Sequence, residues 1–188
     1  IKSSQSSRLL LCITQDALTA GYIFTAGEYE CIGGKKIFNT RVKIDKDTWN
    51  DAVSSIDEWS IGDIINKKNY IKQVLEWKKI DFDSFIYTGH GLISMLFPDD
   101  FEYNFIDVKN NNYIEIVRGV VIRGTFNKQT LGDSHSSVVH KLEKDYGSVV
   151  TINFISYYQW VINHCLKCKG FSIGIEDCVS TRKKDVED

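Results

Sequence analysis

Proline is nearly missing from this chain. Pro98 stands alone among 188 residues, beside a single methionine. Glycine numbers 13, far from the roughly one-third that a collagen-like chain needs. Cysteine is sparse too: five thiols, an odd number, without the spacing of a disulfide-stapled miniprotein. Reduced thiols in an intracellular protein are the default reading. No stretch reaches about 18 apolar residues without a charge, which excludes a membrane-spanning helix. Neither sign of charge dominates. With 23 Lys and Arg against 25 Asp and Glu, the net charge is −2 and the sequence pI about 6.1. The chain as a whole is no basic coat for nucleic acid, so any contact with nucleotide must come from local groups. Signal-peptide architecture, internal repeats and low-complexity tracts are all missing. The start at Ile1 and the charged run over 181–188 read as cuts through something longer.

What remains is globular in kind. Apolar residues make up 43% and charged residues 26%, and a chain of this length buries a core without staples. Asp16 is placed to cap a short helix running to Gly21. Residues 26–41, rich in glycine and charge, read as a loop or hairpin. Asp47 opens a helix on which Trp49, Val53, Ile56 and Trp59 recur, and 60–80 reads as a second helix. Thr88 caps a helix carrying Leu92, Ile93, Met95 and Leu96, closed by Pro98. Over 113–126 the β-formers Tyr113, Ile114, Ile116, Val117, Val120, Val121 and Ile122 flank Arg118-Gly119, predicting two short strands. A helix over 134–145 would take Ser134 as its cap. The strongest helical signal is 151–168, with Ile155, Tyr158, Ile162, Cys165 and Leu166 on one face and Gly170 as its stop. Phe171 to Ile175 reads as a buried strand. Helices around a small mixed sheet make the expected class α+β.

Chemistry is harder to find. No Walker loop, GxGxxG, nucleophile elbow or paired-aspartate cluster is present. His164, Cys165, Cys168 and Cys178 have the ligand types of a zinc site. A small zinc-holding interaction module is therefore one reading. The other is structural, because Cys165 also fits the buried stripe of its helix. The segment 123–140 stands apart. Two strands end in a loop containing Lys128, several hydroxyls and Gly132, and a helix follows. A lysine near backbone N–H groups at a helix start favours anions.

Three blocks resemble the pore domain of the largest subunit of multisubunit DNA-directed RNA polymerases, of the eukaryotic and large-DNA-virus type. Ser3-Ser4-Gln5-Ser6-Ser7-Arg8, followed by Ile13-Thr14-Gln15-Asp16-Ala17-Leu18, is similar to SPQSNKP…GIVQDTL. Tyr87-Thr88-Gly89-His90-Gly91-Leu92-Ile93-Ser94 is similar to W(S/T)GKQ(I/L)(I/L)S. Arg118-Gly119 through Gly132 resembles DGxLxxGxxxKKT(V/L)G without a gap. Ser134 to His140 then resembles SxGG(L/I)(I/V)H, with serines at 136 and 137 in place of the glycines. Lys169-Gly170-Phe171-Ser172-Ile173-Gly174-Ile175-Glu176-Asp177 is close to NGFS(T/I)GIxD. The likeness covers most of the chain and is weakest over 26–80.

The resemblance implies a pore domain over 1–169 and the start of the following funnel segment over 170–188. It implies a place beneath the active centre of the polymerase, lining the secondary channel for nucleotide entry and RNA 3′-end extrusion. Catalytic aspartates and Mg²⁺ would belong to the preceding segment, so this piece would carry no catalytic residue and bind no metal. Lys128 matches the first lysine of the family's KKT and would reach the nucleotide triphosphate. Gln129 replaces the second: either that charge is lost here, or Lys128 makes the contact instead. Gln15, Asp16, Thr130, Gly132, Ser134 and Asp177 would support the loop and active centre. Implied partners are the other polymerase subunits, above all the second-largest, together with DNA template, nascent RNA and nucleoside triphosphates. The implied location is the nucleus, or the cytoplasm or virion for a viral enzyme.

Overall fold

A computed structural model describes residues 12–13, 15–26, 28–32, 35–107 and 112–169. The elements run α1 (Gln15–Thr25), β1 (Glu28–Ile32), β2 (Lys35–Thr40), α2 (Lys46–Ser54), α3 (Ile61–Lys78), α4 (Phe82–Ile86), α5 (Gly89–Ser94), β3 (Tyr103–Asp107), β4 (Asn112–Val117), β5 (Val120–Arg123), α6 (Lys128–Leu131) and α7 (Val138–Lys169). β1 and β2 form an antiparallel hairpin of their own, and β3-β4-β5 form a three-stranded antiparallel sheet. This is the α+β class. The described strands pair antiparallel; between β4 and β5 the turn is Arg118-Gly119, both at positive φ.

Several helix boundaries differ from the sequence reading. α1 runs past Gly21 to Thr25, and Asp16 lies in its first turn instead of capping it. Gly21 does not end the helix; it makes room. A Cβ there would lie 1.9 Å from the Tyr158 hydroxyl on α7. α2 is capped by Asp45, whose side chain accepts from the Thr48 N–H at 2.8 Å, and ends at Ser54, leaving Ile56 and Trp59 beyond it. The cap of α7 is Ser137, not Ser134: Ser137 Oγ accepts the His140 N–H at 3.1 Å. The helices expected over 134–145 and 151–168 are two stretches of α7 that meet at Gly147, where φ is 82°. β3 had no counterpart in the sequence reading. Thr88 caps α5 and Ser60 caps α3, the latter in a capping box with Asp63. Gly170 and the strand expected over 171–175 lie outside the described residues.

The core is aromatic and β-branched. Trp49, Tyr158, Phe24, Phe85, Phe101, Phe126 and Phe154 are its largest fully buried side chains, each worth about 1.5–3 kcal/mol over exposure. The second half of α7 lies against α1 and α2, and α5 lies against β5 and α1. Ile155, Tyr158, Ile162 and Cys165 are buried on α7 as their spacing predicted, and Leu166 packs at the margin. A buried hydroxyl joins α5 to the sheet: Ser94 Oγ donates to the His90 carbonyl at 2.7 Å and accepts the Val121 N–H at 2.9 Å. On the sheet, Glu115 receives Lys78 at 3.1 Å and Arg123 at 2.7 Å. Burial alone would push the Glu115 carboxyl up, but its hydrogen bonds with Lys78 and Arg123 outweigh this and hold it below its ordinary value.

Candidate functional site

The β4–β5 ribbon delivers the chain into the loop that contains Lys128. Gly124 makes the exit with φ at 106° and its α-carbon pressed against β4, where a Cβ would lie 2.6 Å from Ile114 Cα. Only glycine suits both conditions. The next backbone groups are clamped by Asn112 at the start of β4. Its amide nitrogen donates to the Thr125 carbonyl at 2.6 Å and its amide oxygen accepts the Thr125 N–H at 3.0 Å. α1 holds the other side. Thr25 Oγ1 accepts the Phe126 N–H at 2.8 Å, and Thr125 Oγ1 donates to the Thr25 carbonyl at 3.2 Å. Behind this lies His90, wholly buried, with Nε2 2.9 Å from the Gly124 carbonyl. A carbonyl only accepts, so Nε2 carries the proton. Burial drives the His90 pKa down to about 4, keeping the ring neutral.

Asn127 then opens α6. Its Oδ1 accepts the N–H groups of Gln129 at 2.9 Å and Thr130 at 3.1 Å, and Thr130 Oγ1 accepts the Asn127 N–H at 2.8 Å. Asn127 Nδ2 reaches Asp107 of β3 at 3.3 Å. Thr130 and Leu131 are fully buried, whereas Lys128 and Gln129 are exposed. Gly132 closes the turn by donating its N–H to the Lys128 carbonyl at 2.9 Å, and a Cβ there would lie 2.4 Å from that oxygen. The result is a single exposed turn, pinned by buried polar bonds to β4 and α1 and a half-buried one to β3, that presents one lysine to solvent.

The remaining residues singled out from the sequence scatter. Ser134 lies in the following turn, with its hydroxyl 2.8 Å from that of Ser136. Gln15, at φ 49°, and Asp16 are exposed at the start of α1. Asp16 faces a groove of about 590 Å³ whose other walls include Asp57, Trp160, His164 and Lys167; none of the Lys128 loop lines it. Cys12, just ahead of α1, does come near Asp133 at the end of the loop. The Cys12 thiol is pushed up chiefly by burial and secondarily by the Asp133 carboxylate. Asp177 lies outside the described residues, as does Cys178. Of the other zinc candidates, Cys165 is in the core, Cys168 is exposed and His164 lines the Asp16 groove. Among the described residues, no three His, Cys, Asp or Glu side chains converge to hold a metal ion. These residues do not fit a Mg²⁺ site.

Sequence reasoning missed Asn112, Asn127, Thr25 and the buried His90. Asn127 had a signal, since Asn is among the preferred helix N-cap residues. Asn112 and Thr25 had none, because their partners lie 13 and about 100 residues away in sequence.

Comparison with known proteins bears on the same residues. Residues 1–178 match the family described as RNA polymerase Rpb1, domain 3. A probable DNA-directed RNA polymerase II subunit RPB1 homolog of Invertebrate iridescent virus 6 is 30% identical over 190 residues, covering 97% of this chain and 17% of the viral protein. The DNA-directed RNA polymerase subunit Rpo1N of Halobacterium salinarum is 30% identical over 100 residues, covering 53% of this chain and 10% of the archaeal protein. The chain thus spans less than a fifth of either relative. No described helix is long and apolar enough to cross a membrane. On the match over 1–178 and the likeness to the viral subunit along nearly its whole length, the chain belongs to the family of RNA polymerase Rpb1, domain 3.

Proposed function

We propose that this chain is the pore domain of the largest subunit of a DNA-directed RNA polymerase, with residues 1–169 forming that domain and 170–188 the start of the funnel segment. It would line the secondary channel, through which nucleotides enter and the RNA 3′ end is extruded. The whole enzyme would make RNA on a DNA template, with Mg²⁺ held by another part of the subunit. Its partners would be the other polymerase subunits, the second-largest above all, and its place the nucleus, or the cytoplasm or virion for a viral enzyme.

One observation carries the residue-level reading. Lys128 is exposed at the head of a turn whose backbone is tied down by Asn112, Thr25 and Asn127. Phosphoryl transfer gains most from cations already held where charge develops, because nothing then reorganises during reaction. A lysine on a fixed turn meets that requirement; one on a loose loop would not. Gln15, Asp16, Thr130, Gly132, Ser134 and Asp177 would be positioning residues for the active centre. Lys128→Ala in the complete polymerase should lower kcat/KM for nucleotide by about tenfold, the effect of one lost charge-assisted bond. DNA binding should stay intact. Elongation unchanged at low nucleotide concentration would overturn the role.

A further inference from the structure

β5 is the last strand of its sheet, and an edge strand leaves a row of backbone groups open. Here side chains occupy that row. Ser94 Oγ accepts the Val121 N–H, Arg41 Nη2 donates to the Ile122 carbonyl at 2.9 Å, and His90 Nε2 donates to the Gly124 carbonyl at 2.9 Å. His90 and Ser94 are one helical turn apart and share a face of α5. Just past Gly124 the chain enters the turn that carries Lys128. Asn112, Thr25 and Asn127 hold that turn itself; Arg41 and His90 hold the strand that feeds it.

Local sequence explains how both donors arrive there. Glycines flank His90 because the backbone is crowded on either side: a Cβ at 89 would press on the Phe24 carbonyl, and one at 91 on the Ile86 carbonyl. Arg41 is placed by the chain beside it. The Gly89 N–H donates to the Val42 carbonyl at 3.0 Å and the Ile44 N–H to the Tyr87 carbonyl at 2.9 Å, so 42–44 lie along the start of α5. The Arg41 guanidinium lies over the Phe85 ring, 4.9 Å from its centroid. A planar cation stacked on an aromatic face loses little freedom in making its bond. It also bears on the histidine. Burial keeps the His90 ring neutral, the Gly124 bond works the other way, and the Arg41 charge adds to burial. His90 stands where the family motif has lysine, and Arg41 lies in the stretch where the likeness is weakest.

We infer that Arg41 and His90 are positioning residues for nucleotide addition: by fixing two carbonyls at the exit of β5, they set the direction in which the turn presents Lys128. The inference rests on the reading of Lys128 under the proposed function. It asks for no contact between either residue and substrate, since His90 is fully buried and Arg41 acts through a backbone oxygen. Removing either donor strands a carbonyl at the point where the strand becomes the turn, and a stranded buried acceptor is the costly kind of loss.

The test uses the complete polymerase with Arg41→Met and His90→Leu, each made alone and in a Lys128→Ala background. Amide exchange read by mass spectrometry should quicken about tenfold at Thr125 and Phe126, the effect of one lost buried bond, while peptides from 155–165 stay within about twofold of the parent. Each substitution alone should lower kcat/KM for nucleotide about fivefold. In the Lys128→Ala background neither should lower it further, because losses that act through one group do not add. A merely structural role would leave the full second loss. Unchanged exchange at Thr125 and Phe126, or a full second loss on top of Lys128→Ala, would overturn this inference alone. A silent Lys128→Ala would overturn the reading of the lysine and this inference with it, so the two failures are told apart. If His90→Leu does not fold, Arg41→Met, at a side chain only half-buried, decides by the same measurements.

Discussion

At the residue scale, the informative substitution is already in the chain. The segment that resembles the family's KKT reads Lys128-Gln129-Thr130 here, and both of the first two side chains are exposed while Thr130 is buried. Neighbouring residues on a helix point about 100° apart, so Lys128 and position 129 face different directions from one turn. They are therefore separable by experiment. If the phosphate-facing direction belongs to 128, Gln129→Lys should leave nucleotide KM within about twofold of the parent. Lys128→Ala should then remain impaired even when combined with Gln129→Lys. A double variant restored to parental kcat/KM would instead assign the contact to position 129. Single-nucleotide incorporation at subsaturating nucleotide is the measurement. Thr130 cannot be read in this way. Its hydroxyl closes the capping box with Asn127, so replacing it would disturb the turn before it touched any ligand contact.

At the element scale, the turn is held by two asparagines that act differently. Asn112 satisfies a buried N–H and a buried C=O of Thr125 at once. Asn127 caps α6 from a half-exposed position. Asn112→Ala strands two buried backbone groups and should cost about 2–4 kcal/mol, whereas Asn127→Ala removes a cap and should cost about 1–2 kcal/mol. Urea midpoints measured at constant slope compare them; equal losses would show that Asn112 is no clamp. Both variants should also raise nucleotide KM, because each loosens the platform under Lys128. This contrast explains what was legible in the sequence. α3, α5 and the second half of α7 could be read because their caps and apolar spacing are local. The sequence suggested Ser134 as cap of α7, but that hydroxyl is taken up by Ser136 within the turn, and the helix begins only at Ser137. β3 went unread because its burial alternates weakly: only Tyr103 and Asp107 are buried while Ile106 is exposed. The Lys128 loop was visible as a motif. Its anchoring was not, since Thr25 and Asn112 act across the fold.

At the scale of the whole molecule, His90 is where the pieces meet. α5 carries it, Gly124 at the end of the sheet accepts from it, and the same loop is tied to α1 through Thr25. Its neutral ring is part of the packing, and acid should therefore loosen the domain. The sign follows from proton binding. His90 is held at about 4 in the folded chain against 6.5 for the free side chain. Between those values the unfolded chain binds more protons, so stability falls as pH drops. The loss should be about 2 kcal/mol near pH 5 and level off at about 3 kcal/mol below pH 4. Carboxylates held below their usual values, Glu115 among them, add their losses only at lower pH, which leaves the window between about 5 and 6.5 to histidine. His90→Gln keeps a neutral donor within reach of the Gly124 carbonyl but cannot take up a proton in that window. The variant should be less stable at neutral pH and should lose most of the slope between pH 6.5 and 5. Denaturant unfolding of both chains across that range decides the matter: parallel slopes would mean that the buried ring is not what acid attacks. A flattened slope would identify the contact between α5 and the Lys128 loop as the joint that acid opens first.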